Sequence, residues 1–219
     1  MTGRWWLGLA FACAVLSQGA TAALAADLTR EQALAALADA DDVEGRRRGA
    51  LALGERGLMG DVPQLSRALR DVDPLVRAFA ENAMWRVWSR SGDDAVDQLF
   101  AVGVEQMGAR LGEAAVETFT EVIRRRPEFA EGWNKRATVY YLLGEYEKSL
   151  ADCDEVMKRN PYHFGALSGY GMIYLKLDRP AKALEYLQQA LRVNPNLESV
   201  QQTVEMLKSM LIQRRKDTS

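Results

Sequence analysis

The sequence predicts an all-α fold, a helical-repeat solenoid that takes up most of the chain. Residues 96–197 repeat at an offset of 34, and residues 28–91 repeat at a different offset of 31. Prolines and aspartates fall where one helix must stop and the next begin. Periods in this range belong to helix pairs that cannot bury an apolar face alone and therefore stack on their neighbours.

Apolar residues make up 48% of the 219-residue chain, which is ample for a sizeable core. The charges nearly balance, at a formal net of −2, so nothing in the charge favours nucleic acid or an anionic membrane as a partner. The local runs Arg46-Arg47-Arg48 and Arg124-Arg125-Arg126 read as solvated helix faces.

Residues 1–25 read as a secretory signal peptide. Met1 to Arg4 supplies a short positive start, and Trp5 to Leu16 is uncharged and mostly apolar. Ala23-Leu24-Ala25 then fits the small-x-small pattern before a cleavage point, with Ala20-Thr21-Ala22 as a second candidate. The apolar run falls short of the roughly 20 residues that a stable membrane helix needs. No stable membrane insertion is therefore expected after cleavage. Cys13 lacks the upstream Leu of a lipoprotein signal, because Ala10 stands there. Cleavage leaves Cys153 alone, with no internal disulfide or metal cluster open to it, and it reads as a small buried hydrophobe. This leader, without a disulfide framework, points to a periplasmic or secreted protein of a Gram-negative bacterium.

In the block from 28 to 91, Leu34 pairs with Leu65, Asp42 with Asp73, Arg46 with Arg77, and Ala52 with Ala83. Gly60 to Arg90 reads helix, tight turn, helix. Asp71-Val72-Asp73-Pro74 forms the turn, and Pro74 stands well as a first helical residue. This pattern resembles a short bacterial HEAT-like repeat. Trp85 and Trp88 share a helix face, which suits core packing between the two repeat types. Ser89 to Asp94 is a short junction, so one continuous solenoid is expected.

In the second block, a column of small residues reads Gly103, Ala137, Gly171 and lets two helices approach closely. Larger columns follow: Phe119, Cys153, Leu187, then Val122, Val156, Ala190. Pro127, Pro161 and Pro195 each close a repeat, because Pro cannot continue the preceding helix. The middle repeat carries Trp133, Ala137, Tyr140, Gly144, Tyr146, Ser149 and Pro161. These columns resemble the tetratricopeptide repeat family. The first repeat departs at Gln106 and Gly112, and the third at Asp178 and Pro180. The resemblance implies paired antiparallel helices stacked as a superhelix over residues 96–197, with a concave groove. Residues 198–215 are then the expected capping helix, with Val200, Val204, Leu207 and Leu211 on its inner face.

The chemistry-bearing residues are few. His163 is the only histidine, and no Ser or Cys stands with a base and an orienting group. Asp71, Asp73, Asp93 and Asp94 suit helix N-caps and lack the spacing of a calcium loop. No catalytic residue, cofactor or metal is expected. What remains is a surface. The family turns certain first-helix positions toward the groove. Here the resemblance places Phe100, Val104 and Met107 there, then Asn134, Thr138 and Tyr141, then Ser168, Met172 and Leu175. Some relatives clamp a partner's terminal carboxylate with Lys, Asn and Arg. Of the matching positions Phe100, Val104, Lys135, Gly165 and Gly169, only Lys135 is suitable, so that function does not carry over. The expected role is a non-catalytic periplasmic adaptor or scaffold that takes a protein or peptide segment with apolar anchors. The alternative is an accessory or structural subunit of an envelope enzyme or assembly. Some short HEAT-like repeat proteins resemble bilin lyases, but no reactive cluster supports that role here.

Overall fold

The computed structural model describes residues 28–217, and these hold eleven α-helices and no strand. The leader expectation lies outside the described residues. The first four helices are α1 (Arg30–Ala38), α2 (Val43–Arg56), α3 (Val62–Ala68) and α4 (Pro74–Trp88). Local chemistry sets their starts. Thr29 and Gln32 form a reciprocal capping box at α1. The Asp42 side chain takes the Gly45 N–H at 2.8 Å. Asp73 takes the Leu75 and Val76 N–H groups, with Pro74 at the first helical position. The helices pair as α1 with α2 and α3 with α4, and α2 lies beside α4.

Arginine ties these pairs together. Arg46 Nη1 donates to the carbonyls of Asp39 and Ala40, while its other nitrogens grip Asp71 of the next pair at 2.7 and 3.2 Å. Arg77, the match at the next offset, donates likewise to the carbonyls of Asp71 and Val72. Arg47 reaches Asp73 with two bonds of 3.0 and 2.6 Å. Bidentate pairs of this kind fix orientation as well as distance.

Six helices follow in three pairs: α5 (Asp94–Gly108) with α6 (Gly112–Arg125), α7 (Ala130–Leu142) with α8 (Tyr146–Arg159), and α9 (Phe164–Lys176) with α10 (Pro180–Val193). The columns read from the sequence lie in the core. Ala115, Ser149 and Ala183 are at most 1% exposed, and Val122, Val156 and Ala190 are fully buried. The turn inside each pair has a further signature. Arg110, Gly144 and Asp178 all adopt positive φ, at 61°, 80° and 51°. Only glycine enters that region without a Cβ clash, so the middle repeat has the residue the turn prefers.

The last helix, α11 (Glu198–Asp217), seats Val204 and Leu207 on Ala183 and Leu187. Two apolar side chains on it, Met206 and Ile212, are exposed.

The junction is held from both sides. Arg90 donates to the carbonyls of Gly54 and Gly57, and Arg126 to that of Ser91. The first four helices also reach past their neighbour. Trp85 and Trp88 on α4 pack against Phe164 at the start of α9, with ring centroids 5.3 and 5.1 Å away. Asn194 bonds Glu81, and Asn196 donates to the Leu69 carbonyl. Arg70 meets the carbonyls of Arg192 and Val193. One core cluster therefore contains residues of the first four helices together with Phe164. A simple solenoid has neighbour contacts alone, whereas this one closes back on its third pair.

Candidate functional site

The first helices of the three pairs, α5, α7 and α9, lie side by side. They carry all nine residues expected to face a partner. At the start of α9 this face is covered by the chain itself. Gly165, on a groove position of α9, lies under Trp85, and a Cβ there would come 2.7 Å from Trp85 Cη2. Beneath, Glu131 is fully buried. It bonds His163 Nε2 at 2.8 Å and Lys135 Nζ at 3.0 Å, and it accepts from Asn134 Nδ2 at 3.1 Å. His163 Nδ1 accepts the Ala166 N–H at 3.0 Å and so caps α9. With Nδ1 accepting, Nε2 carries the proton and donates to Glu131. Burial pushes the Glu131 carboxyl upward, but Lys135 and His163 outweigh it and hold the group at about 2. Glu131 is thus a buried anion with three donors, a structural hub between α7, α9 and the tryptophans above.

The nine residues divide on this background. Three are more buried than a partner site requires, which corrects the expectation that they are open. Phe100 is 7% exposed, because its ring is wedged 5.7 Å from Phe119 and 5.3 Å from Phe129. Asn134 is 8% exposed and spent on Glu131. Tyr141 is 9% exposed, with its ring 5.9 Å from Tyr146, and burial pushes its hydroxyl pKa up. A helix position gives the direction of a side chain, and a large ring at that position is covered by the neighbouring helices all the same. Val104, Met107, Thr138, Ser168, Met172 and Leu175 are half-buried. Met172 packs against the cluster of Tyr141 and Ile173, and Leu175 against that of Leu187. Ser168 and Thr138 return their hydroxyls to carbonyls of their own helices. The open part of the face is therefore its C-terminal half: Val104 and Met107, Thr138, Met172 and Leu175.

Cys153 is 2% exposed, and burial pushes its thiol up to about 12, so it is packing and not a nucleophile. Among the described residues no cluster of His, Cys, Asp and Glu could hold a metal ion. No described helix is long and apolar enough to cross a membrane.

A tetratricopeptide repeat family profile matches residues 128–196. A TPR repeat-containing protein of Rhizobium etli is 30% identical over 146 residues, which covers 67% of this chain and 72% of that relative. The chain belongs to the tetratricopeptide repeat family. An Hsp70-Hsp90 organizing protein of Glycine max is 27% identical over 97 residues, and the match spans 42% of this chain but 17% of that protein. Two solved structures show the same fold. The tetratricopeptide domain of Sgt2 from Aspergillus fumigatus aligns with a TM-score of 0.54 at 18% identity, over 58% of this chain and 85% of that one. The first tetratricopeptide domain of Spaghetti, bound to an HSP90 peptide, aligns at 0.51 and 18% identity, over 53% and 93%. In the present tetratricopeptide protein the buried Glu131–His163 pair escaped the sequence reading. The only available signal was a lone His just after the repeat-closing Pro161, at the position that precedes a helix.

Proposed function

We propose that this tetratricopeptide protein is an exported, non-catalytic adaptor that holds a segment of another protein in the open half of its groove. One observation carries the reading. Trp85 lies over Gly165 at the start of α9, and Glu131 and Asn134 are buried at the start of α7, while Val104, Met107, Thr138, Met172 and Leu175 keep part of their surface uncovered toward the C-terminal ends. A concave, mostly apolar strip with one hydroxyl suits a helical or extended segment with apolar anchors. The terminal-carboxylate clamp has no counterpart here. Lys135 is committed to Glu131, and Trp85 covers Gly165.

In this reading residues 96–197 form three tetratricopeptide repeats, residues 198–215 cap them, and residues 28–91 form two HEAT-like units. The carbonyl grips of Arg46 and Arg77 coincide at one position of the offset, Ala40 and Asp71, which supports the two-unit assignment. Export rests on the pattern of residues 1–25, and it assigns the adaptor to a Gram-negative periplasm. Intact mass of the periplasmic form tests export: a start near Ala26 is expected, and retention of Trp5 and Trp6 contradicts it. Capture from periplasm tests the adaptor role. A protein held by wild type and lost with Met172→Glu supports the groove. Equal capture by both forms removes it.

A further inference from the structure

A second surface, which shares no residue with the groove, lies between α1 and α3. It is an open cleft of about 540 Å³, a volume within the usual range of ligand sites. Its two walls differ. The α1 wall is apolar, with half-buried Leu34 above the core residue Leu37, and exposed Val72 stands at the rim. The opposite wall carries Arg67 on α3 and Arg70 in the turn after it. The pair Arg46–Asp71 also lines the cleft and neutralises itself, with side chains 7% and 12% exposed. Arg70 gives its donors to backbone carbonyls, which leave its charge uncompensated. The Arg67 side chain is exposed and has no hydrogen bond or ion pair among the described residues. The lining thus holds three arginines against one aspartate, in a chain whose formal net charge is −2.

We propose that this cleft is a second protein-binding site, and that it takes an acidic segment of a partner bearing leucine-like anchors. The anchors would lie along Leu34 and Val72, and the carboxylates along Arg67 and Arg70. Charge complementarity selects the occupant: a basic segment would meet Arg67 and Arg70 with no anion to answer it, and a neutral one would leave both charges unused. The site is independent of the tetratricopeptide groove and does not require the adaptor reading.

A random dodecapeptide library displayed on phage and selected on the full mature protein tests the proposal. Arg67→Glu and Met172→Glu variants serve as comparisons, each checked by circular dichroism. Arg67 is exposed and unpaired, so its reversal leaves the fold intact. The expected result is a family of clones rich in Asp or Glu beside Leu, Ile or Phe. The synthetic peptide of the leading clone should bind Arg67→Glu at least about tenfold more weakly, weaken in high salt, and bind Met172→Glu as it binds wild type. Three results overturn the proposal: no clone that depends on Arg67, enriched clones that are neutral or basic, or clones that lose binding only with Met172→Glu. The last of these leaves the groove standing and removes the cleft.

Discussion

Trp88 and His163 lie face to face, with ring centroids 4.5 Å apart and planes inclined by 19°. The two residues come from different repeat blocks, and the His is the same one that caps α9 and bonds the buried Glu131. The stack therefore links the first four helices to the polar hub of the tetratricopeptide block. Trp88 is 2% exposed. Trp88→Ala should cost about 3–5 kcal/mol, the usual loss for a large buried aromatic. It should also loosen the first block before the second, so that thermal unfolding monitored by hydrogen exchange shows α1 to α4 opening early. Uniform protection across all helices in the variant would contradict the role assigned to the stack.

Glu131 gives a pH dependence with a definite sign. Its carboxyl is held at about 2 in the folded chain, against an ordinary 4.5. A group lowered in this way stabilises the fold fully above pH 4.5 and loses that contribution as pH falls toward 2. The size is roughly 3 kcal/mol, at 1.36 kcal/mol for each pH unit. The stability of wild type relative to Glu131→Gln, measured by denaturant titration, should fall by about that amount between pH 4.5 and 2. A gap that stays constant through that window rejects the assignment.

The turn column at Arg110, Gly144 and Asp178 offers a paired test. A non-glycine residue in this left-handed region costs about 1–2 kcal/mol. Arg110→Gly should therefore stabilise the protein by about 1 kcal/mol net of the added freedom of the unfolded chain, and Gly144→Ala should destabilise it by about 1 kcal/mol or more. The melting temperatures should move in opposite directions. Movement in the same direction contradicts the shared turn geometry.

Close helix approach in the third repeat can be tested with a control two residues away. A Cβ on Gly171 would run into the buried Leu187 side chain, whereas a Cβ on Gly169 would meet only Cys153 Sγ at an ordinary 3.7 Å. Gly171→Ala should lose about 1 kcal/mol overall, because overpacking exceeds the gain in helix propensity. Gly169→Ala should be neutral or gain up to about 1 kcal/mol. Ala137→Leu, in the same column as Gly171, should cost about 1–3 kcal/mol. Gly171→Ala as stable as Gly169→Ala would place the repeat register in error.

Much of this was legible because it is periodic. The burial of Phe119, Cys153 and Leu187 follows from one column at a fixed offset. The cap at Asp73 and the start of α4 follow from an Asp-Pro step. What could not be read is what periodicity does not encode. Trp85 rests on Gly165, a contact between blocks with different periods. Glu131 occupies a position that the repeat turns toward the groove, yet three donors make it a buried anion. Tyr141 also has the right direction, but its depth depends on how tightly the third repeat stacks on the second. Direction is a property of one helix, and depth is a property of three.

The central claim is that the C-terminal half of the α5–α7–α9 face is where a partner lies. A photo-cross-linking amino acid at Met172 tests it most directly, with the same group at Glu147 on the exposed surface of α8 as the comparison. In cells of the source organism, illumination should yield a discrete adduct of higher mass from position 172 and none from position 147. An adduct from 147 with none from 172 would contradict the account.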